Sequence, residues 1–389
     1  MLCSCLRLPK WEGASAKKER TSMKNWIALL LALVMSLSLC ACGVDDNGKQ
    51  DDGSKDGKVT VAKLTQVVMT EKDSDGKDRT MKATLEYDED QNVIATKTYL
   101  DDKLYYEVTY DKDNKPLVEL TYGDTGEIID RTENTYDEKG NCVERINTYK
   151  YDDTTVTVKR ISTFDANGNE LTEKVYENGE LSYEYHYTYT ADGKLAKEAY
   201  INKDGNEESS TEKTYDEQGN VLSVKVDGML SGSYETYENT YENGKLVEVK
   251  IYDQWDLEGQ QTGLVRYDAQ GNIILRVGYE NGEEWSRTEY TYENGKLVKE
   301  VDYDDGKENY TAVYTYNADG KITEVSYTYT NGKTSSRAYS YNQAGDLTGM
   351  KQHEDGQMKG EYALTYETVT VSAETAEKLR QIVRALDLG

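Results

Sequence analysis

The sequence has 389 residues, a formal net charge of −27, and 34 tyrosines against a single phenylalanine. This acidic excess argues against nucleic acid as a partner, because nucleic-acid-binding proteins present basic surfaces to the phosphates. A hydrophobic fraction of only 37% argues against a thick, dry core. Tyrosine buries its ring while its hydroxyl stays in water, so the composition favours a sheet with neither face fully shielded from solvent.

The first 41 residues are typical of a bacterial export signal. Lys24 supplies a basic start after Met23, and the apolar run 26–39 is shorter than the about 20 residues that a membrane-spanning helix needs. We expect translation to begin at Met23. The stretch LCAC (39–42) resembles the lipobox of bacterial lipoproteins, which implies cleavage before Cys42 and lipidation of that residue. The resemblance predicts a cell-membrane protein held by its lipid on the extracytoplasmic face; a signal peptide without lipidation is the alternative.

Residues 42–58 are predicted to form a flexible acidic linker, because they contain Asp, Gly, Lys and Ser and almost nothing that a core could bury. After Cys42 the only cysteine is Cys142, so we expect no intramolecular disulfide. Cys142 occupies a position where other repeats have aliphatic residues. We therefore interpret it as a small hydrophobic residue and not as a nucleophile.

Residues 59–371 repeat with a period of about 25 residues. Each repeat has an aromatic residue followed by a Gly-containing turn, and a second Asn-Gly or Asp-Gly signal lies half a period later. These dipeptides supply the positive φ that tight hairpin turns require. The pattern predicts short strands of about 7 to 10 residues joined as a long antiparallel meander. The repeat aromatics are Tyr87, Tyr110, Tyr136, Phe164, Tyr189, Tyr215, Tyr241, Tyr267, Tyr292, Tyr316, Tyr341 and Tyr366.

The turn motif, Tyr-Asp-x-x-Gly followed by Asn or Lys, resembles the YD repeat of bacterial Rhs-type proteins. Its clearest copies are YDEKGN (136–141), YDEQGN (215–220) and YDAQGN (267–272). The resemblance implies β-hairpin repeats coiled into spirals or shells, in proteins that often carry a C-terminal toxin or act at the cell surface. The sequence departs from the family in having no sizeable domain after the repeats and no recognisable cleavage core, so we do not expect a toxin-delivery role. The predicted fold is all-β: an elongated antiparallel β-hairpin repeat array, either a twisted or a spiralling meander, with a short C-terminal capping helix.

Residues 372–389 change from strand to helix periodicity. Ser372 is a predicted N-cap, and apolar side chains recur at helical spacing at Leu379, Ile382, Val383 and Leu386. We expect this helix to cover the last strand and prevent edge-to-edge pairing. Binding of a partner by the helix is the alternative.

The sequence gives little support for an enzyme, a cofactor or a specific metal site. His186 and His353 are the only histidines, and carboxylates decorate the turns of every repeat instead of marking one place. The stretch beginning at Glu71 starts like an EF-hand loop, but its twelfth position is Lys82, where a bidentate glutamate is required. Weak calcium binding distributed over the acidic turns remains open.

Aromatic side chains provide the binding hypothesis. Tyr183, Tyr185, Tyr187 and Tyr189 alternate along one predicted strand, and Trp255 and Trp285 lie near turns, where their rings could stack on sugars. Cross-strand ladders that hold the sheet are the alternative role for the tyrosines. We therefore expect a lipid-anchored surface binding or adhesion scaffold for cell-wall or host glycans. The competing hypothesis is a structural spacer or assembly protein that binds another envelope protein and no small ligand.

Overall fold

A computed structural model describes residues 58–72, 75–151, 154–228, 232–254 and 259–384. The predicted signal peptide, Cys42, the linker up to residue 57 and Trp255 lie outside these residues. The described chain forms 24 strands and one helix, α1. Their bounds are β1 Lys58–Lys72, β2 Asp78–Tyr87, β3 Val93–Leu100, β4 Lys103–Tyr110, β5 Pro116–Tyr122, β6 Ile128–Tyr136, β7 Cys142–Tyr151, β8 Thr154–Phe164, β9 Glu170–Glu177, β10 Glu180–Tyr189, β11 Leu195–Asn202, β12 Glu207–Tyr215, β13 Val221–Gly228, β14 Ser233–Glu242, β15 Lys245–Asp253, β16 Gln260–Tyr267, β17 Ile273–Glu280, β18 Glu283–Glu293, β19 Lys296–Asp304, β20 Lys307–Tyr316, β21 Ile322–Tyr329, β22 Thr334–Tyr341, β23 Leu347–Glu354, β24 Gln357–Ser372 and α1 Ala373–Arg384.

The strands form a closed antiparallel barrel, so the prediction of an open, spiralling array is wrong. Each strand pairs with the next in chain order, and β1 also pairs with β24, from Lys58 opposite Ser372 to Glu71 opposite Gly360. Twenty-four strands at about 4.8 Å give a circumference of roughly 115 Å and a diameter of roughly 37 Å before strand tilt widens it. The first and last strands therefore pair with each other and leave no open sheet edge between them.

Regular β-bulges explain the closure. At every hairpin that contains the YD-type turn, the register shifts so that one extra residue enters the strand after the turn. Leu222 and Ile274 are two of these extra residues, and both are exposed aliphatic side chains. A bulge bends its strand and increases the local right-handed twist. Eight of the other hairpins also have a register shift. Bulges at both ends of the strands add curvature and twist that an ideal flat meander would lack.

Five of the YD-type turns are held by a side-chain bracket between Asp and Asn. Asp137 Oδ1 accepts the Asn141 backbone N–H at 2.8 Å, and Asn141 Nδ2 donates to Asp137 Oδ2 at 2.9 Å. Gly140 lies between them with φ 86°, a conformation that favours glycine. In the last such turn the two residue types are exchanged, and Asn342 Nδ2 donates to Asp346 Oδ2 at the same distance of 2.9 Å. The same bracket joins Asp88 to Asn92, Asp165 to Asn169 and Asp268 to Asn272.

Most repeat tyrosines donate a hydrogen bond from the side-chain hydroxyl to the backbone of the preceding, adjacent strand. The Tyr136 hydroxyl donates to the Pro116 carbonyl at 2.9 Å, and the Tyr215 hydroxyl donates to the Leu195 carbonyl at 2.8 Å. In both cases the acceptor is the first residue of the strand immediately before that of the tyrosine, so the bond ties each YD-type hairpin to the strand that precedes it. The same bond, which we call the tyrosine lock, joins Tyr189 to Glu170, Tyr316 to Leu297, Tyr341 to Ile322 and Tyr366 to Leu347. The locks explain why an aromatic residue with a hydroxyl recurs at this position.

The densest apolar packing lies at the seam where β1 meets β24. These are the two longest strands, at 15 and 16 residues, and Leu64 of β1 is 1% exposed. Helix α1 packs mainly against β1, and its Leu379 is also 1% exposed. Ser372 Oγ accepts the Thr375 N–H at 3.1 Å and so caps the helix. Since β1 and β24 pair with each other, α1 covers the closing seam and not a free edge, which corrects the predicted role.

Val383 and Leu386, predicted to share the apolar face of α1, lie where no side-chain placement is described. Along residues 58–384, in the ranges given above, no helix is long and apolar enough to cross a membrane.

Candidate ligand-binding surface

The predicted tyrosine stripe forms one cluster with a residue from the next strand. Tyr183, Tyr185 and Tyr187 alternate along β10, and Tyr200 of β11 is the register partner of Tyr185. The Tyr200 ring centroid lies 5.3 Å from that of Tyr183 and 5.7 Å from that of Tyr185. The rings of Tyr185 and Tyr187 stack with an interplanar angle of 24°. We call these four residues the tyrosine patch, and the side of the sheet on which they lie the tyrosine face.

A depression of about 140 Å³ opens beside the tyrosine patch. Tyr185 and Tyr200 form its aromatic wall, and Glu198, Ser209 and Thr211 add a carboxylate and hydroxyls. Sites that enclose a whole drug-sized ligand measure about 300–1,000 Å³. The depression is therefore suited to the edge of one ring that rests on the tyrosines, with polar groups at hand for hydrogen bonds.

Burial changes the electrostatics of the patch. Burial raises the pKa of Tyr200, and the nearby Glu208 and Tyr183 raise it further. The hydroxyl of Tyr200 is therefore neutral at physiological pH and can donate or accept a hydrogen bond.

Tyr189, the fourth tyrosine of the predicted stripe, has a different role from the other three. Its hydroxyl donates to the Glu170 carbonyl at 2.8 Å, which makes it a tyrosine lock. Burial, followed by Glu170 and Asp165, raises its pKa. The structure therefore gives Tyr189 a role in the sheet, at the strand end next to the turn.

The predicted tryptophan contact Trp285 lies far around the barrel from the tyrosine patch. Its side chain is 49% exposed and occupies a bulge in β18, eight strands beyond β10. Its indole lies over Gly278. Any other residue at position 278 would place its Cβ 2.8 Å from the indole Nε1 of Trp285. Glycine therefore makes room for the indole ring on the sheet. The structure does not bring Trp285 together with Tyr183, Tyr185 or Tyr187 in one site.

A second aromatic cluster occupies β20 and β21. The Tyr310 ring lies 5.7 Å from Tyr327 and 5.9 Å from Tyr329, measured between centroids. The Tyr310 hydroxyl donates to Glu300 at 2.5 Å, and the Tyr314 hydroxyl reaches the same carboxylate at 3.3 Å. Two hydroxyls are thus bound to one carboxylate of the protein itself, which favours a structural role for this cluster.

Sequence analysis missed a pair of arginines on the tyrosine face. Arg145 of β7 and Arg160 of β8 are direct register partners, and Arg160 is also opposite Val175, which in turn is opposite Tyr183. Register partners share a face of the sheet. The two arginines are fifteen positions apart in the sequence, so only the register of the hairpin, with its turn between, reveals that they meet.

The remaining titratable candidates do not form a reactive constellation. His186 lies on the face opposite the patch, where its Nε2 is 3.0 Å from Glu184 Oε2, and this hydrogen bond lowers the pKa of Glu184. Among the described residues, no three His, Cys, Asp or Glu side chains are grouped so as to hold a metal ion. Cys142 begins β7 and is partly buried, with Sγ 3.6 Å from the Glu144 carbonyl oxygen.

The fold and the surface together define a class: a closed antiparallel β-barrel built from YD-type hairpins, with an aromatic patch on one face. No protein-family model and no curated protein matches the sequence. Among solved structures, the chain is similar to TcdB2-TccC3 without its hypervariable C-terminal region, at 16% identity and a TM-score of 0.37. That match covers 77% of this chain and 16% of the other, so this chain spans about a sixth of that chain's length.

A porin-like protein from Bacteroides uniformis is similar over 78% of this chain and 96% of its own, at 10% identity and a TM-score of 0.24. The Photorhabdus luminescens Tc holotoxin pore is similar over 80% of this chain and 25% of its own, at 12% identity and a TM-score of 0.17. Identities and TM-scores this low establish neither a family nor a function.

Proposed function

We propose that this protein is a lipid-anchored, extracytoplasmic glycan-binding protein that holds its ligand on the tyrosine patch. The observation that carries the proposal is the cluster of four tyrosines beside a depression lined by Glu198, Ser209 and Thr211. Binding sites typically combine apolar or aromatic walls with a few polar groups that fix orientation. Sugar rings have an apolar face and a rim of hydroxyls, which matches this combination.

The cellular setting of the proposal comes from the sequence and the chain direction. The lipobox at residues 39–42 and the export signal before it support a lipid attached at Cys42. The described chain enters the barrel at Lys58, at the rim that also carries the YD-type turns. The fifteen residues between Cys42 and Lys58 would span roughly 20–25 Å if flexible. The barrel would then be held close to the membrane surface, with its YD-turn rim nearest the lipid.

A structural role is the second candidate, and the tyrosine locks favour it. The hydroxyls of at least six repeat tyrosines donate hydrogen bonds to backbone carbonyls within the barrel. Tyrosine abundance alone is therefore no sign of ligand binding. A spacer of this kind would bind an envelope protein through a face or a rim of the barrel, because β1 and β24 close the sheet.

The test is co-sedimentation of the full-length protein, kept in detergent, with purified cell-wall polysaccharides and a host glycan panel, with calcium and with chelator. Tyr185→Ala and Tyr200→Ala should each weaken binding about tenfold, which corresponds to about 1.4 kcal/mol for a lost aromatic contact. Tyr279→Ala, on β17 and outside the patch, is the matched control and should bind like the unchanged protein.

Failure of every glycan to bind a correctly folded protein would overturn the proposal and leave the structural role. Binding that disappears with chelator would instead show that calcium at the acidic turns takes part.

A further inference from the structure

Strands β1 and β24 continue past the YD-turn rim of the barrel as a two-stranded ribbon. β2 pairs with β1 only from Gln66 onward, and β23 pairs with β24 only up to Ala363. Beyond these points β1 and β24 pair only with each other among the described strands, as far as Lys58 opposite Ser372. We call residues 58–63 and 367–372 the ribbon. Since neither of its outer edges has a neighbouring strand within the described chain, backbone N–H and C=O groups point outward there.

The two edges of the ribbon differ in their protection. The β1 edge has a lysine at each end, Lys58 and Lys63, and helix α1 packs mainly against this strand. Charged side chains and covering helices are common means by which proteins prevent a further strand from adding to a sheet edge. The β24 edge has the sequence Thr-Val-Thr-Val-Ser from residue 368 to 372, with no charge and no proline, and Thr368 and Thr370 are exposed. The edge of β24 is therefore open to another strand.

The pairing inside the ribbon shows which kind of strand fits β24. Both strands contribute the same three-residue sequence, Val-Thr-Val, in antiparallel orientation: Val59 opposite Val371, Thr60 opposite Thr370 and Val61 opposite Val369. The hydroxyls of Thr60 and Thr370 are hydrogen-bonded at 3.1 Å. Residues 369–371 of a second copy of this chain offer the same sequence to the outer edge of β24.

We propose that two copies of this protein associate through antiparallel pairing of residues 368–372 of their β24 strands. With Thr370 of one copy opposite Thr370 of the other, each valine lies opposite a valine, as it does inside the ribbon. Rows of valine then cross the joined four-stranded sheet on one face, and a row of threonine crosses it on the other. Because a two-fold axis relates the copies, the barrels lie at opposite ends of this sheet, with their YD-turn rims facing each other. This inference is independent of the glycan ligand.

The size of the contact sets the expected strength. Five residues of each copy pair, and such a contact buries less than the about 1,200–2,000 Å² that stable complexes bury. We therefore expect a reversible dimer that depends on protein concentration. Copies anchored in one membrane share a high effective concentration, which favours a weak contact of this kind.

The first experiment measures the mass of the full-length protein in detergent by analytical ultracentrifugation over a range of protein concentrations. The unchanged protein should shift from monomer to dimer as the concentration rises. Thr370→Lys and Thr370→Glu each place two like charges opposite each other across the two-fold axis, and each should raise the dimer dissociation constant about tenfold or more. An equal mixture of the two variants brings opposite charges together and should restore the dimer, which excludes misfolding as the cause of the loss.

Thr163→Lys is the matched control. Thr163 is also an exposed threonine whose hydroxyl is hydrogen-bonded to a threonine of the neighbouring strand, Thr172, at 2.7 Å. It lies on β8 in the body of the barrel, where both β8 and β9 have a partner strand on each side. The variant should therefore dimerise like the unchanged protein.

The second experiment locates the contact by disulfide formation in isolated membranes. Opposite residues on antiparallel strands have Cα atoms about 4.5–5.5 Å apart, which lies within the range of about 4.4–6.8 Å that a disulfide spans. In a Cys142→Ala background, Thr370→Cys should give a disulfide-linked dimer on mild oxidation. Thr163→Cys in the same background should remain monomeric.

A protein that stays monomeric at every concentration and forms no Thr370→Cys disulfide would overturn the inference. A dimer that persists unchanged in both charge variants would also overturn it, because the contact would then lie elsewhere on the barrel. A disulfide between Thr370→Cys and a protein of different mass would overturn the pairing of two copies, since the β24 edge would then serve another envelope protein.

Discussion

Removing the hydroxyl of Tyr215 tests whether the tyrosine locks hold the barrel together. The Tyr215→Phe variant keeps the ring but leaves the Leu195 carbonyl without the bond that it accepts at 2.8 Å. The net contribution of such a hydrogen bond is about 0.5–1.5 kcal/mol, and an unsatisfied buried partner adds to the loss. Because the site is only partly buried, water can reach the carbonyl, and we expect a loss of about 1 kcal/mol.

The barrel contains a natural counterpart of this variant. Phe164 occupies the repeat position of the tyrosines but has no hydroxyl, and the carbonyl equivalent to that of Leu195 belongs to Cys142. Phe164→Tyr should therefore complete the missing lock and stabilise the protein by up to about 1 kcal/mol. The two changes are chemical inverses at equivalent positions, so their free energies of unfolding should have opposite signs.

The assay is urea unfolding of both variants and of the control Tyr279→Phe. The Tyr279 hydroxyl has no hydrogen-bond partner within the part of the chain that the structure describes, so its removal should change little. With an unfolding slope of about 3 kcal/mol/M, a loss of 1 kcal/mol lowers the midpoint by about 0.3 M. A midpoint for Tyr215→Phe that equals that of the control would refute the lock as a stabilising bond.

Two further predictions concern acid stability and membrane attachment. The hydrogen bond from Asn141 lowers the pKa of Asp137, and that from Asn169 lowers the pKa of Asp165. A carboxylate whose pKa is lower in the folded than in the unfolded state stabilises the fold at pH values above its unfolded-state pKa. That stabilisation is lost as the pH falls through the folded-state pKa. The urea midpoint should therefore decline below a pH of about 4, and a constant midpoint down to about pH 2 would contradict the bracket. Cys42→Ser should release the protein from the membrane fraction; continued membrane association of that variant would exclude lipid as the attachment.

The hairpins could be predicted from the sequence because their determinants are local. Asp137, Gly140 and Asn141 fix one turn within five residues through the bracket and a positive φ. The tyrosine lock was not predicted, since its donor and acceptor are about twenty residues apart and the acceptor is a backbone group. The sequence nevertheless indicates that the hydroxyl matters, because eleven of the twelve repeat aromatics are tyrosine and one is phenylalanine.

Closure of the barrel could not be predicted in the same way. Bulge residues such as Leu222 and Ile274 look like ordinary aliphatic strand residues. Only the pairing of the two strands shows that each is an extra residue without an opposite partner in that hairpin. Each hairpin also looks the same whether the sheet is open or closed. Whether the sheet closes depends on the summed curvature of all hairpins and on the long pairing of β1 with β24, two segments at opposite ends of the described chain.

The candidate site was predicted in part. Alternation along β10 identified Tyr183, Tyr185 and Tyr187, because period-two patterns report which residues share a face. Tyr200 and the arginine pair join the surface through the register between strands, which a single-strand pattern does not contain.

On the tyrosine face, some positions are repeated from hairpin to hairpin and others vary. Most YD-type hairpins repeat the aromatic residue and the glycine of the turn, and at least six of the repeat tyrosines form the lock. The three preceding residues that share a face with the repeat aromatic, at every second position, vary in type between hairpins. They are apolar in β2, polar in β6 and aromatic in β10: Met81, Ala83 and Leu85; Asp130, Thr132 and Asn134; and Tyr183, Tyr185 and Tyr187. The lock on β10 is therefore made by Tyr189 and not by the three tyrosines before it. Because these positions hold apolar, polar or aromatic residues in different hairpins, neither the turn nor the lock accounts for the rings on β10 and β11.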